Sequence, residues 1–320
     1  MYVAEAKPEE SYPKDDPLAK YRYVPDLGEA YGGRKKPLIF LFDLSREVGR
    51  AVASLALQQQ QQLPLAPLLS HPVFVSEDKI VALGYEYSED GRMLGVIYCP
   101  NRAAGVWELV LPSASDSKTE SGEQVLQCTG RQITVSGLAC RSPRVFTQGP
   151  RSYVLYLSNV AGGPHQTCSR IEVMNLESAE TRTLLETVQD PDPTDFPGLY
   201  TPSLPVYPFV QPGNPASENS ERFLVVSSVW RCRTTVLLIS LTTGRLVDLT
   251  PDDGERWSWT VLCTDGGSQV VCVRSALNKL PELVLGQVDS ECRVTWRVLA
   301  TSTVSDERTW TVFVHIEEIH

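Results

Sequence analysis

Apolar residues are arranged along this chain in short runs that turn residues separate. The runs are rich in Val, Ile, Leu and Phe, and Gly, Pro, Asn, Asp or Ser stand between them. This pattern is typical of β-strands joined by tight turns, because strands are short and β-branched side chains fit a pleated surface. Helical periodicity is scarce, and the best candidate for a helix is 46–57, just before a run of glutamines that ends at Gln62. The sequence therefore predicts an all-β fold.

One strand-and-turn pattern recurs at a nearly constant interval. An apolar strand ends in Asp, Asn or Ser followed by Leu, and after a polar turn a second strand begins at Arg. The copies are 39–52, 171–185 and 237–247, with a weaker copy at 107–111. The terminal leucines are 67, 65 and 65 residues apart, at Leu44, Leu111, Leu176 and Leu241. A fifth candidate strand spans 282–288.

Self-similarity at a fixed period indicates a repeat architecture. A four-stranded propeller blade takes about 40–50 residues, so the extra length here is expected in loops. We expect a partial β-propeller of roughly five four-stranded blades. It would form a single, incomplete domain over 1–320, with a Pro-rich insertion loop at 190–215. A two-sheet sandwich is the alternative, and it leaves the regular interval unexplained.

Composition and charge narrow the classes of function. The 320 residues carry a formal net charge of −10, which disfavours general nucleic-acid binding because phosphate contacts need clustered Lys and Arg. The eight cysteines are scattered and are expected to be free, buried thiols in a reducing compartment. The first residues lack an apolar signal region, and no apolar run approaches the ~20 residues of a membrane span. We therefore expect a cytoplasmic protein without membrane contact.

The sequence contains no recognisable catalytic motif. It lacks the G-x-S-x-G elbow of α/β-hydrolases, paired Cys-x-x-Cys, a P-loop and G-x-G-x-x-G. His315 and His320 have the wrong spacing for two metal ligands on one helical face. We therefore predict no catalytic, cofactor-binding or metal-binding residue in this chain.

Two loops contain residues that could contact a ligand. His165 and Gln166 follow Gly162-Gly163-Pro164 and could contact a ligand, although a structural His bonded to a nearby backbone carbonyl is the preferred interpretation. The segment 32–36, Gly-Gly-Arg-Lys-Lys, is interpreted as a surface hairpin turn, because it has no third glycine and no following helix.

Several short stretches resemble the N-terminal propeller region of acylaminoacyl-peptidases, which are members of the prolyl oligopeptidase family. They occur in the family's order between residue 2 and about residue 290. The stretches are Tyr2-Val3-Ala4-Glu5 with Lys7, Gly28-Glu29, Cys99 with Asn101 and Arg102, Ser142-Pro143-Arg144, Pro164-His165-Gln166, and Cys168-Ser169. The glutamine run and the Pro-rich segment depart from the family pattern.

The resemblance implies a function for the protein to which this region belongs. Such enzymes release N-acylated amino acids from short blocked peptides with a Ser-Asp-His triad in a C-terminal α/β-hydrolase domain. Their propeller covers the active site and restricts access to short peptides. That hydrolase domain is expected downstream or in the full-length protein, so no catalytic residue is carried over to this chain.

Two hypotheses from different classes follow. The first is the non-catalytic, substrate-gating portion of an acylaminoacyl-peptidase, and the second is a stand-alone propeller-like module that binds peptides or proteins. Homo-oligomerisation is possible under either, because an incomplete ring exposes the faces of its terminal blades.

Overall fold

The structure is a computed structural model that describes the chain in segments. These are residues 1–5, 17–18, 21, 23, 26–42, 52–58, 67–96, 98, 100–112, 124–193, 195–213, 221–250, 254 and 256–302. Within these segments the regular structure consists of β-strands, with no α-helix. The all-β, partial-propeller fold class is therefore confirmed.

The chain divides into two compact units. The first contains the described residues of 1–167 and 172–182, and the second those of 168–171 and 183–302.

The first unit begins with three strands that form an antiparallel meander. They are β1 (Tyr2–Glu5), β2 (Pro37–Phe42) and β3 (Val52–Gln58). Four more strands form the next meander: β4 (Leu68–Phe74), β5 (Lys79–Tyr85), β6 (Ala104–Val110) and β7 (Gln124–Gln132). The two meanders join where β3 pairs in parallel with β7.

The following group of strands crosses the division between the units. It comprises β8 (Leu138–Gln148), β9 (Arg151–Val160), β10 (Arg170–Asn175) and β11 (Thr181–Leu185). Strands β8 and β9 form a long antiparallel hairpin in the first unit, as the sequence predicts for the segment from Ser142 to Leu157.

The second unit contains two further four-stranded antiparallel meanders. One comprises β12 (Phe209–Val210), β13 (Phe223–Trp230), β14 (Arg233–Ser240) and β15 (Leu246–Asp248). The other comprises β16 (Ser258–Thr264), β17 (Gln269–Ala276), β18 (Lys279–Val288) and β19 (Val294–Thr301). The described residues thus hold four groups of four strands and one of three, close to the expected five blades.

In the four-stranded groups the recurring sequence pattern marks the third strand and the turn after it, and in the three-stranded group it begins on β2. Asn175 and Ser240 end β10 and β14, and their side-chain oxygens accept hydrogen bonds from backbone N–H groups of the following turn. A short polar side chain at this position therefore satisfies turn donors that the strand ladder leaves unpaired. The next residues, Leu176 and Leu241, are buried. Leu44 lies outside the described residues.

Apolar side chains from several strands pack together into the buried cores of the two units. In the first unit one cluster includes Leu83, Val106, Val154 and Tyr156, contributed by β5, β6 and β9. In the second unit a larger cluster spans both meanders and is centred on the fully buried Trp259. These clusters account for most of the apolar runs in the sequence, because strands buried on both faces read as unbroken hydrophobic segments.

The helix expected at 46–57 is wrong where the structure describes it. Residues Val52–Gln58 form β3, which pairs with β2 on one edge and β7 on the other. Backbone hydrogen bonding to two partner strands outweighs the weak helical preference of this short segment. The remaining residues of the expected helix and the glutamines after Gln58 lie outside the described residues.

The Pro-rich segment 190–215 is described at 190–193 and 195–213. Among these residues it contains β12 and an antiparallel bridge between Leu199 and Ser169. In this bridge the backbone N–H of each residue donates to the carbonyl of the other. Leu199, Leu204 and Val210 are buried, so parts of the segment are tied to the second unit.

The seven described cysteines are free thiols. Four are buried, namely Cys128, Cys140, Cys272 and Cys292, whereas Cys168 is half-buried. Cys232 and Cys263 are exposed, which corrects the expectation that the thiols are buried. Cys232 lies in the turn between β13 and β14, and Cys263 follows the register shift in β16 that interrupts the inward and outward alternation. Cys99 lies outside the described residues.

Candidate functional site

A cavity of about 590 Å³ lies in the first unit beside β1, β4 and the end of β5. We call it the β1–β4 cavity. Its apolar lining is Val3, Ala4, Leu27, Pro37, Leu68 and Val96, and its polar lining is Glu5, Tyr31, Arg34, Lys35, Ser70, His71 and Tyr85. Apolar surface combined with polar groups that can orient a ligand is typical of small-molecule sites.

A bulge in β4 places His71 at this cavity. The pairing of β4 with β5 shifts register between Ser70 and Val73, and His71 has a φ of 48°. Pro72 has no N–H to donate to the ladder, so a strand that contains it must bulge there or lie at an edge. Bulges commonly redirect a side chain near functional sites.

The same bulge recurs in β8, the first strand of the next group. Register shifts there between Arg141 and Arg144, Ser142 has a φ of 50°, and Pro143 follows it. The Ser142-Pro143-Arg144 stretch that carries part of the family resemblance is therefore a structural bulge. In both strands the residue before the proline has a positive φ and lies at the register shift, so the same bulge occurs in two successive groups of strands.

The imidazole of His71 contacts the hydroxyl of its neighbour. Its Nδ1 lies 3.0 Å from Ser70 Oγ, and the pair sits at the cavity wall. His71 keeps solvent-accessible surface. Desolvation of its ring by the surrounding protein, and then the charge of Arg144, nevertheless lower the pKa of His71 below its ordinary value. His71 is therefore a neutral imidazole at physiological pH.

This pair does not have the properties of a hydrolytic dyad. A general base must take up a proton, and the cationic Arg144 disfavours protonation of His71. A hydrolytic base is also oriented by a third group, commonly a carboxylate, whereas the charge acting on this ring is a cation. The geometry suits hydrogen bonding to a ligand.

A salt bridge closes one side of the cavity. Arg34 Nη1 donates to Glu5 Oε1 at 2.8 Å, and the Lys35 backbone N–H donates to Glu5 Oε2 at 3.3 Å. The hydrogen bond from Arg34 holds the pKa of Glu5 below its usual range, and Glu5 raises the pKa of Arg34 in turn. Both side chains are well exposed, so solvent screens the pair and it adds little stability.

Tyr85 contributes a phenol to the lining of the cavity. Burial raises the pKa of Tyr85 above its ordinary value, and the nearby Arg141 only partly offsets this effect. Tyr85 is thus a neutral hydroxyl that can donate or accept a hydrogen bond.

Three other residues of the family resemblance, Gly28, Asn101 and Arg102, contact the backbone of neighbouring loops. The Asn101 side-chain amide donates to the carbonyl of Gly163, and the Asn101 carbonyl accepts from the N–H of Gly162. Arg102 Nε donates to the carbonyl of Gly95 at 3.0 Å. A side chain on Gly28, whose φ is 95°, would lie 2.8 Å from the Gly95 Cα. These residues therefore hold loops together, which is a structural role.

The two loops that the sequence singles out have different outcomes. His165 is exposed, and it forms no hydrogen bond with any described residue, so the preferred interpretation of a bonded structural His is wrong. A Gly-Pro turn pinned by Asn101 directs this ring outward instead. The segment 32–36 is a turn as expected, but Arg34 and Lys35 line the cavity.

Sequence reasoning missed Ser70, His71 and Tyr85. One signal was available, because a proline inside a strand-like segment marks a bulge, and both His71-Pro72 and Ser142-Pro143 have that form. His315 and His320 lie outside the described residues.

Two searches of the described residues complete the survey. No group of three or more His, Cys, Asp or Glu among them is placed to hold a metal ion. No helix among them is long and apolar enough to cross a membrane.

Comparison with known proteins gives a consistent result. The family described as "Acylamino-acid-releasing enzyme, N-terminal domain" matches residues 17–308. The chain is 25% identical over 298 residues to "Acylamino-acid-releasing enzyme 2" of Oryza sativa subsp. japonica, covering 85% of this chain and 36% of that protein. It is 24% identical over 288 residues to "Acylamino-acid-releasing enzyme" of Arabidopsis thaliana, covering 85% of this chain and 34% of that protein. The chain thus spans about a third of the length of these relatives.

The family match covers most of the chain and extends over all four of the four-stranded groups. Fold class and sequence comparison agree, and this chain belongs to the acylamino-acid-releasing enzyme N-terminal domain family.

Proposed function

We propose that this chain is the non-catalytic, substrate-gating portion of an acylaminoacyl-peptidase. In that protein a separate α/β-hydrolase domain carries out the serine-dependent release of N-acylated amino acids, and the β-sheet groups restrict access to short blocked peptides. The observation that carries the proposal is the family match over 17–308 in a chain about one third as long as its relatives.

The chemistry of the cavity supports a role without catalysis. Ser70 and His71 are in contact, but burial and then the charge of Arg144 lower the pKa of His71, which makes it a poor base. The free thiols of the described cysteines fit a reducing compartment, and we propose the cytoplasm.

The first test is chemical. We expect the purified chain alone to leave N-acetyl-L-alanine p-nitroanilide intact and to resist a fluorophosphonate probe, because its sequence has no G-x-S-x-G elbow and no serine among the described residues has the setting of an activated nucleophile. A single labelled serine would contradict the non-catalytic role.

The second test addresses gating. The chain is co-expressed with the C-terminal portion of the rice relative, and co-elution on size exclusion verifies assembly. We compare kcat/KM for an acetylated tripeptide with that for a long acetylated peptide, with and without the chain. Gating predicts that the chain raises this ratio, by about tenfold if closure excludes long peptides from the site. An unchanged ratio in the assembled complex would favour the stand-alone interaction module.

A further inference from the structure

We propose that the β1–β4 cavity binds a small carboxylate with an apolar body, such as the C-terminal end of a short acylated peptide or a released N-acyl amino acid. The carboxylate chemistry follows from the cavity alone. The choice of acylated ligands rests on the proposed function.

The size and lining of the cavity suit such a ligand. Its volume of about 590 Å³ is within the range of small-molecule sites. Val3, Leu27, Leu68 and Val96 offer apolar surface for an acyl group or an aliphatic side chain. A ligand of this class gains from burial of its apolar body while its charged end remains with the polar lining.

The charges of the lining favour an anion. Among the described residues of the lining Glu5 is the one acidic group, and its two oxygens already accept from Arg34 and from the Lys35 backbone. The charge of Lys35 acts on Glu5, yet its ammonium group forms no salt bridge with any residue that the structure describes. Because Arg34 and Glu5 balance each other, the lining has a surplus of one positive charge in a protein of net charge −10.

Neutral donors and further cations reinforce this preference. His71 is a neutral imidazole and Tyr85 a neutral phenol. Each can therefore donate a hydrogen bond to a carboxylate, and neither adds a negative charge that would repel it. The charges of Arg144 and Arg141 act on these two groups, which places additional positive potential at the cavity wall. Burial lowers the pKa of both arginines, yet guanidinium groups stay protonated in proteins.

The experiment is calorimetric titration of the full chain with N-acetyl-L-leucine. N-acetyl-L-leucinamide is the matched ligand, because it keeps the acyl group and side chain and lacks the negative charge. We expect saturable binding of the acid and at least about tenfold weaker binding of the amide, since hydrogen bonds to charged groups are the strong ones.

Variants connect the binding to the cavity. Lys35→Gln should weaken binding of the acid by about tenfold, whereas Lys36→Gln should leave it unchanged, because Lys36 is an exposed neighbour outside the lining. Val3→Trp should block binding by filling the cavity from β1. Circular dichroism and thermal melting establish that each variant is folded.

A second pair of ligands separates the two sources of the carboxylate. Tighter binding of acetyl-Ala-Ala-Leu than of N-acetyl-L-leucine would identify the peptide end, and the reverse order would identify the released product. Equal affinity for acid and amide, equal effects of Lys35→Gln and Lys36→Gln, or no effect of Val3→Trp would each overturn the proposal. Binding requires no hydrolysis, so these outcomes are independent of the gating ratio.

Discussion

Arg131 and Glu108 lie directly opposite each other on the antiparallel strands β7 and β6. Arg131 Nε and Nη2 both donate to Glu108 Oε1, at 3.2 and 3.1 Å. Lys79 Nζ lies 3.4 Å from Glu108 Oε2, an ion pair without the geometry of a hydrogen bond. The carboxylate is buried, whereas the arginine is more than half exposed.

Because the carboxylate is buried and the cations are more exposed, removing Glu108 and removing its two cationic partners should lower the free energy of unfolding by different amounts. Glu108→Gln leaves two cations that can be hydrated, and it should lower the free energy of unfolding by about 1–2 kcal/mol. Replacing both Lys79 and Arg131 with Met leaves a buried, unpaired carboxylate, and it should cost about 3–5 kcal/mol. Urea denaturation measures both. Arg293→Met, which breaks an exposed pair with Asp289, is the control and should leave the urea midpoint nearly unchanged. Equal costs for the two sides would contradict this account.

Gly286 is predicted to be intolerant of any side chain. It lies opposite Trp296 in the β18–β19 ladder, and a Cβ there would be 2.6 Å from the indole atom Cζ3. The indole is fixed by a 3.0 Å hydrogen bond to the Leu249 carbonyl and by contact with Trp259, whose ring centroid is 4.7 Å away. Gly286→Ala should therefore destabilise the protein by about 1–3 kcal/mol. Near-ultraviolet circular dichroism and thermal melting report the change.

A glycine with open space around it is the control for that substitution. No atom lies within 4 Å of a Cβ built on Gly32. Gly32→Ala should leave the melting temperature nearly unchanged, and an equal loss in the two variants would contradict the packing argument.

Cysteine labelling should divide the thiols by burial. Burial raises the pKa of Cys128 to about 11 and that of Cys140 to about 12, so at neutral pH these groups are almost entirely protonated. We expect iodoacetamide to modify Cys232 and Cys263 within minutes and the buried thiols only after unfolding. Mass spectrometry after timed quenching measures this. Rapid modification of Cys140 in the folded chain would contradict the burial of that thiol.

The same pKa shifts predict loss of stability in alkali. Burial raises the pKa of Cys272 to about 12, whereas a thiol in the unfolded chain titrates near about 8.5. The unfolded state therefore loses the proton first, so this contribution is complete below about pH 8.5 and falls by about 1.4 kcal/mol per pH unit above it, until the pH reaches the folded-state pKa. Cys272→Ala should flatten the decline between neutral and alkaline pH. Cys232→Ala, at an exposed site, should keep the wild-type slope, and identical slopes for both variants would refute the linkage.

Strand β19 is the predicted site of self-association. Among the described residues it pairs only with β18, and Val298 and Leu299 on it are exposed. An exposed apolar edge strand can pair with another copy. Val298→Lys should lower the dimer fraction in light scattering after size exclusion, whereas Thr295→Lys, at an exposed polar position of the same strand, should have less effect. If both variants behave alike, charge rather than the apolar edge controls association.

The strands that sequence analysis located correctly are those whose pattern is local. The segment that ends at Leu241 and its turn at Thr242-Thr243-Gly244 could be predicted because Ser240 caps the turn through contacts within three residues. The error at Val52–Gln58 has the opposite origin, because one of the two partners of β3 is remote in sequence: β7 begins about seventy residues later.

The cavity could not be predicted because its lining comes from five separate stretches of the chain. Glu5 and Arg34 meet across 29 positions, and Tyr85 reaches the wall from a different strand. No spacing rule joins these residues. Only the bulge at His71-Pro72 leaves a trace in the sequence, and its meaning depends on knowing that the segment is a strand.

The paired bulges of β4 and β8 determine where these strands can open. Pro72 and Pro143 each remove an amide proton from the middle of a strand, and the register shift beside each interrupts the ladder. Each strand is therefore two short ladders joined at a weak point, rather than one long ladder that frays from its ends. Deuterium should enter first at amides beside His71 and Ser142, and the slowest exchange should be found in the unbroken strands β5 and β9.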